Sequence, residues 1–330
     1  MPPLRISIAL ATFQGARFLP EQLASFLEQT RLPDELCVSD DGSTDNTLEL
    51  IRDFARSAPF PVDLQSNPNP RGSNKNFETV VQRCTGDVIL FSDQDDVWLP
   101  EHIDRLVTPM EKDPRIVAVA SNSRYVDEKL VPTGIDIQQS ERFPNSLRDA
   151  TMRLPRNQFE LVLRQRMVAG HGMAFRSKLL PLLVPFSERG MYDHWVFTLA
   201  AAAGYVSYAS IPLTLHRQHQ RQDHGNRKIE LKDWAARSAN RPEGQDRREE
   251  ENWTEMLARV REHKDILQSP ETAAHALEQK LNFVVRRARA RRASIPVRLA
   301  FATRELILGR YHRWGRGLLT FGRDLYGSRG

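Results

Sequence analysis

The chain has 330 residues, 40% of them hydrophobic and 27% charged, which allows one large domain with an appendage, or two domains, and excludes wholesale disorder. Its formal net charge of +5 hides a segregation: from Lys280 to Gly330 there are 13 Lys/Arg against two acids, Glu305 and Asp324, whereas the rest of the chain carries 34 basic and 40 acidic groups. A mildly acidic body with a strongly basic tail points the tail toward something anionic, a membrane surface or nucleic acid.

The N-terminus runs from Met1 straight into a strand pattern without the long apolar core of a signal peptide. Ile6–Ala11 is that first strand, and residues 18–30 follow as a helix with Leu19, Leu23, Phe26 and Leu27 on one face. Leu36–Ser39 is a second strand, stopped by Asp40-Asp41-Gly42-Ser43, and Asp45 can cap a helix bearing Leu48, Ile51 and Phe54. Val62–Gln65 reads as a third strand, Phe77–Arg83 as the end of a third helix, and Asp87–Ser92 as a strand apolar on both faces. His102–Lys112 returns as helix and Ile116–Ser121 as strand. This alternation predicts βαβ units and a mostly parallel sheet, whose ligands bind beyond the carboxyl ends of the strands. Residues 128–165 show no clean period. Val168–Phe175 is a short apolar segment, Ser177–Leu183 and Asp193–Ala203 read as helices, and Val206–Ser210 as a strand. The apolar stretch Val196–Leu213 is interrupted by Gly204 and Pro212 and falls short of the roughly 20 residues a membrane helix needs. Two isolated cysteines, Cys37 and Cys84, with no CxxC, offer neither a zinc site nor a disulfide framework and suit a reducing cytoplasm.

Two acidic clusters stand where an open sheet places its ligands: Asp40-Asp41-Gly42-Ser43-Thr44-Asp45 after strand two and Asp93-Gln94-Asp95-Asp96 after strand four. Carboxylates crowded at the end of a buried strand repel one another, and a hard cation relieves that repulsion. Either cluster alone also reads as a plain turn; the pair, each after an apolar strand, points to a metal-assisted site.

Ala11-Thr12-Phe13-Gln14-Gly15, Glu21-Gln22-Leu23, Gln29-Thr30, Ser39 through Asp45, Asn76-Phe77 and Ser92-Asp93-Gln94-Asp95-Asp96-Val97-Trp98 together resemble a family 2 inverting glycosyltransferase, near the bacterial rhamnosyltransferase-like branch of polysaccharide biosynthesis. The resemblance implies a GT-A fold, a Rossmann-like and mostly parallel sheet, with a donor half over residues 1–123, an acceptor half over 124–224, and a helical basic extension over 225–330. It implies a hexosyltransferase that takes a nucleotide sugar, dTDP-rhamnose or a UDP-sugar, with Mn²⁺ or Mg²⁺ as cofactor. By the same resemblance Asp41 binds the nucleotide base, with Ala11, Phe13 and Lys75 lining that pocket. Asp93 meets the ribose or a metal-bound water, Asp95 coordinates the metal, and Asp96 stands behind them. Asp193, in Met191-Tyr192-Asp193-His194-Trp195, is the expected catalytic base; its alternative is a helix cap. Many relatives carry two adjacent acids here, whereas this chain has Tyr192 before Asp193. His171 and Gly172 in Gly170-His171-Gly172-Met173 match a loop near the acceptor, as does Trp98, and glycines there let a sugar approach the backbone. In His216-Arg217-Gln218-His219, His219 or His216 is a further metal ligand and Arg217 a diphosphate partner; the plainer reading is a basic surface loop. No Gln-x-x-Arg-Trp follows, which favours single-sugar transfer.

In the tail, Ile307, Tyr311, Trp314, Leu318, Phe321 and Leu325 recur at spacings of four and three and form one helical stripe, with Arg310, Arg313, Arg316 and Arg323 mostly off it. Such a basic amphipathic helix suits an anionic inner leaflet and a lipid-linked saccharide acceptor, and so a peripheral place on the inner face of the plasma membrane; packing on the body is the alternative. Other readings lack their signatures. A sugar nucleotidyltransferase wants a Gly-rich basic phosphate loop, where residues 12–17 hold only Gly15. No RNA-binding motif accompanies the tail, so no nucleic acid is expected, and no GxGxxG follows strand one.

Overall fold

The computed structural model describes residues 3–140, 152–153, 158–164, 168–219 and 244–326; the charged segment from Gly225 up to residue 243 lies outside them. Ten strands form one sheet: β1 (Ile6–Thr12), β2 (Glu35–Asp40), β3 (Val62–Ser66), β4 (Val88–Asp93), β5 (Val97–Trp98), β6 (Ile116–Val126), β7 (Pro132–Asp136), β8 (Met152–Arg153), β9 (Met173–Arg176) and β10 (Tyr205–Arg217). The order is β3-β2-β1-β4-β9-β6-β10-β5, with β7 on β6 and β8 on β10. The first four strands are parallel, and β6 and β10 are parallel to each other. β9 runs against β4 and β6, and β5 against β10.

Strand alternation sorts the core onto two faces. In β1 and β4, Ile6, Ile8, Leu10, Val88 and Leu90 pack on one side, whereas Ala9, Ile89 and Phe91 pack on the other. Both sides are covered, so the strands read as continuous apolar runs, and each Ile or Leu so buried contributes about 1.5–3 kcal/mol relative to exposure. The helices α1 (Leu19–Leu27), α2 (Thr47–Ser57) and α4 (His102–Lys112) cover the first face, and α3 (Ser73–Val81), α5 (Gln158–Arg164) and α6 (Tyr192–Ala203) the second.

The C-terminal helices are α7 (Gln245–Glu262), α8 (Pro270–Arg292), α9 (Ile295–Ile307), α10 (Arg310–Trp314) and α11 (Leu318–Tyr326). Trp253, Met256, Leu277, Phe283, Tyr311 and Trp314 join the same core cluster as α6, so the extension shares a core with the sheet. The expected single stripe is cut by Gly309, in a left-handed conformation, and by Gly315 and Gly317. Its aromatic part turns inward: Tyr311 and Trp314 are buried and Phe321 and Leu325 pack against the core, while Ile307 and Leu318 stay exposed. Among the described residues no helix is long and apolar enough to cross a membrane.

Candidate active site at the carboxyl ends of the strands

Register gathers the acids. Thr12 lies opposite Asp40 and Ala11 opposite Asp93, so the ends of β2 and β4 flank the end of β1. Asp40 is consumed locally: it accepts from Thr12 Oγ1 at 2.7 Å and from the Ser43 amide at 2.8 Å. Asp41 is also buried, and it accepts backbone N–H groups of Arg71 (2.9 Å) and Gly72 (2.8 Å) and the Asn67 side-chain amide. It thereby fastens the loop that leads into α3. Gly42, at φ +81°, makes the turn that aims both acids. Phe13 is half exposed, and its backbone N–H and C=O are bridged by the Gln94 side chain at 2.8 Å each. Lys75, on α3, pairs with Glu78 at 3.0 Å and lies 3.9 Å from Glu188.

The second cluster converges with the end of β10. Asp95 Oδ2 lies 2.8 Å from His219 Nε2. Asp96 is fully buried; its Oδ1 meets His216 Nδ1 at 2.9 Å and its Oδ2 meets His171 Nδ1 at 3.0 Å. The two imidazoles stack at 4.3 Å, and His171 Nε2 meets Ser123 Oγ at 2.8 Å. Burial disfavours ionisation of Asp96, yet His216 and His171 hold its carboxyl well below the usual range. Burial likewise opposes charge on His171, but Asp96 and Asp93 outweigh it and raise it to about 10. Asp93 moves the other way: burial, with Asp96 and Asp95 beside it, raises its pKa against the pull of His171, which stands 3.6 Å off.

Arg217 is fully buried. Its guanidinium pairs with Glu21, donates from Nε to the Asp95 carbonyl at 2.9 Å and from Nη1 to the Glu128 carbonyl at 2.6 Å, and lies 4.5 Å over the Phe18 ring. Of the two readings of this segment, the basic surface loop gives way to the end of a strand, and Arg217, the candidate diphosphate partner, braces the backbone of Asp95. Asp193 sits buried in the first turn of α6, with its Oδ1 accepting the His194 N–H at 2.6 Å; the N-cap position belongs to Met191.

Three acceptor-side expectations change. Trp98, 1% exposed, stacks on His102 at 4.0 Å and meets Phe26 edge-on, so it is core and out of reach of a saccharide. His171 points into the carboxylates. The glycines beside it are required by protein neighbours: a Cβ on Gly170 would lie 1.9 Å from the Tyr192 hydroxyl, and one on Gly172 2.9 Å from Ser121 Oγ. Tyr192 itself, noted in the sequence only as a departure, stacks on Phe77 at 4.0 Å and donates its hydroxyl to Asp93 Oδ1 at 3.3 Å.

The donor set fits a hard or borderline dication. Asp95 and His219 offer one oxygen and one imidazole nitrogen with Asp93 on the same loop, and Asp96, His171 and His216 place ligand atoms within 4.8 Å of one another. Within the trio Asp96 and His171 are buried, and the raised pKa of His171 opposes ligation; Asp93 and Asp95 are more exposed than either.

Residues 7–181, more than half of the chain, match the model of Glycosyl transferase family 2. The dTDP-rhamnosyl transferase RfbG of Shigella flexneri is 35% identical over 102 residues, 30% of this chain and 35% of that protein. The match spans about a third of the length of such curated relatives. Among solved structures, Staphylococcus aureus TarS 1-349 with UDP-GlcNAc superposes with a TM-score of 0.54 at 15% identity, covering 98% of this chain and 90% of that one. The mannosyltransferase PcManGT of Pyrobaculum calidifontis, with GDP-Man and Mn²⁺, gives 0.53 at 20% identity, covering 98% and 85%. The fold is GT-A, and the chain belongs to glycosyltransferase family 2, a family of sugar-transferring enzymes.

Proposed function

We propose that the chain moves one sugar from a nucleoside-diphosphate sugar onto a saccharide acceptor with inversion at the anomeric carbon. The observation that carries this is the convergence of Asp93, Asp95 and His219 with the first turn of α6 at the carboxyl ends of β1 and β4. A dTDP-sugar, with dTDP-rhamnose first, is the favoured donor, by the name of the Shigella relative; a UDP-sugar is second. Phe13 offers an exposed ring against the base, beside Ala11, and α3, which carries Lys75, meets this strand end where Asn76 donates to the Thr12 carbonyl. Asp41 marks the base end, where an imide N–H competes for the oxygens that now hold Arg71 and Gly72. Asp95 and His219 hold Mn²⁺ or Mg²⁺, with Asp93 alongside; when bound, that ion stabilises the charge developing on the departing diphosphate. Asp193, in the first turn of α6, takes the proton of the acceptor hydroxyl. The acceptor is a lipid-linked saccharide, which places the protein peripherally on the inner face of the membrane.

Calorimetry across a panel of nucleotide sugars with Mn²⁺ tests the donor half. Asp95→Ala should abolish metal-dependent binding, and a chain that retains no nucleotide sugar refutes the proposal. Asp193→Asn should leave donor binding within about twofold and lower kcat by roughly 100-fold or more; full turnover in that variant removes Asp193 from the role.

A further inference from the structure

The helix α9 is built inside out. Its inward positions, Arg298, Ala302 and Glu305, fall at i, i+4 and i+7, and two of the three are charged. Glu305, 1% exposed, pairs with Arg310 at 2.8 Å and lies 3.7 Å from Arg286, and Arg298 reaches the Leu325 carbonyl. The opposite face carries Pro296, Leu299, Ala300, Thr303 and Ile307, which line an open, almost wholly apolar hollow of about 630 Å³. Ile307 is 80% and Ile295 70% exposed, and Val297, Leu299, Leu308 and Leu318 are each more than half exposed. A helix at the surface of a water-soluble body normally turns its apolar stripe inward; here two charged side chains turn inside and the branched aliphatics face out, an arrangement favoured against an apolar medium.

Cations adjoin this face. Arg304 lines the hollow itself, and Arg289 and Arg292 stand in the last turn of α8, just before α9 begins; all three are exposed and none has an ion pair or side-chain hydrogen bond among the described residues, whereas the neighbouring Arg287 and Arg291 are buried against Asp324 and Asp246. Unpaired guanidinium groups beside an exposed aliphatic face complement a layer of anionic headgroups over acyl chains. A second copy of the chain would bring the same cations onto itself, so charge argues against self-association through this face.

We propose that the outer face of α9, with Leu308 and Leu318 at its edge, is the surface through which the protein docks on an anionic lipid bilayer. It keeps Ile307 and Leu318 from the Ile307–Leu325 stripe, whose aromatic members are committed to the core, and it rests on the reading that the acceptor is presented at a membrane.

The test is flotation of the full chain with vesicles of mixed phosphatidylglycerol and phosphatidylcholine, and with phosphatidylcholine alone, at low and high salt. The parent should bind the anionic vesicles, lose binding with salt, and leave neutral vesicles largely unbound. The triple variant Arg289→Gln, Arg292→Gln, Arg304→Gln should lower partition by roughly a hundredfold, about fivefold per arginine. The variant Leu299→Ser, Ile307→Ser, Leu308→Ser should lower it by about as much, with an unchanged melting temperature. Parental binding in both variants overturns the proposal, as does equal binding to neutral vesicles, or a dimer by light scattering that the serine variant dissociates. Donor binding in solution is scored separately. A parent that retains its nucleotide sugar but ignores vesicles refutes only the docking surface, and one that floats but retains no donor refutes the transferase reading.

Discussion

Asp324→Asn is the sharpest stability test of the C-terminal helices. The Asp324 carboxylate accepts from Arg287 Nε (2.7 Å) and Nη2 (2.9 Å), from Arg291 Nη1 (2.6 Å) and from the Tyr311 hydroxyl (2.7 Å), all in the buried space between α8, α10 and α11. An amide removes the charge and turns an N–H₂ group toward at least one guanidinium. Arg287 is then buried without its counter-ion, a situation that costs about 3–5 kcal/mol. Arg291 keeps Asp246 at 2.7 Å, which sets the expectation at the lower end, about 3 kcal/mol. With an unfolding entropy of about 2.1 cal/mol/K per residue, that loss lowers Tm by roughly 4 °C if the chain melts as one unit. The sign with pH follows from the lowered pKa: burial alone would raise it, but Arg287, Arg291 and Tyr311 pull it below the ordinary value. The carboxylate therefore contributes fully above about pH 4, and the gap between parent and variant should close as pH falls through the depressed folded value. Adding Arg287→Met should recover part of the loss, because the orphaned charge is gone. Urea melts at neutral and acid pH measure all of this. A single variant within about 0.5 kcal/mol of the parent, or a gap that widens in acid, refutes the clamp.

Tyr192→Phe removes one hydroxyl from Asp93 while the ring stays stacked on Phe77; turnover should fall about fivefold, the worth of about 1 kcal/mol, with Tm unchanged, and unaltered kcat in a steady-state assay refutes the positioning role. Gly170→Ala drives a methyl into the Tyr192 hydroxyl and Cζ, at 1.9 and 2.5 Å, and should cost about 2 kcal/mol in a denaturant melt; a variant as stable as the parent would reopen the case for a glycine kept free for the acceptor.

Local chemistry made the carboxyl ends of the first strands readable. β2 and β4 are short apolar runs ended by acids on either side of β1, and because parallel strands in register end together, the sequence rule for ligand position needed no knowledge of distant contacts. What escaped it depends on long-range pairing. His171 and His216 are 45 residues apart in the chain and stack only because β9 inserts antiparallel between β4 and β6 while β10 runs on past a bulge to Arg217. Trp98 looked like an exposed neighbour of the acids, and its burial follows from pairing of β5 with β10 at the sheet edge. In the tail, the spacing of apolar residues predicts one helix; the glycines divide it, and the division decides which side chains meet the core.

The acids after β4 show what the fold adds to the motif. Asp93, Asp95 and Asp96 lie within four residues, and as equivalent carboxylates they would repel one another strongly in a buried site. The fold makes them unequal. Asp96 receives two imidazoles and is fixed as an internal anion; Asp95 receives His219 and, through Arg217, a braced backbone; Asp93 shares His171 and is left with its pKa raised. A motif of identical residues thus becomes three carboxylates in three different settings. The histidines and arginine that distinguish them come from the turn before β9 and from the end of β10 and just beyond it, so the setting of the acids depends on segments more than 70 residues further along the chain.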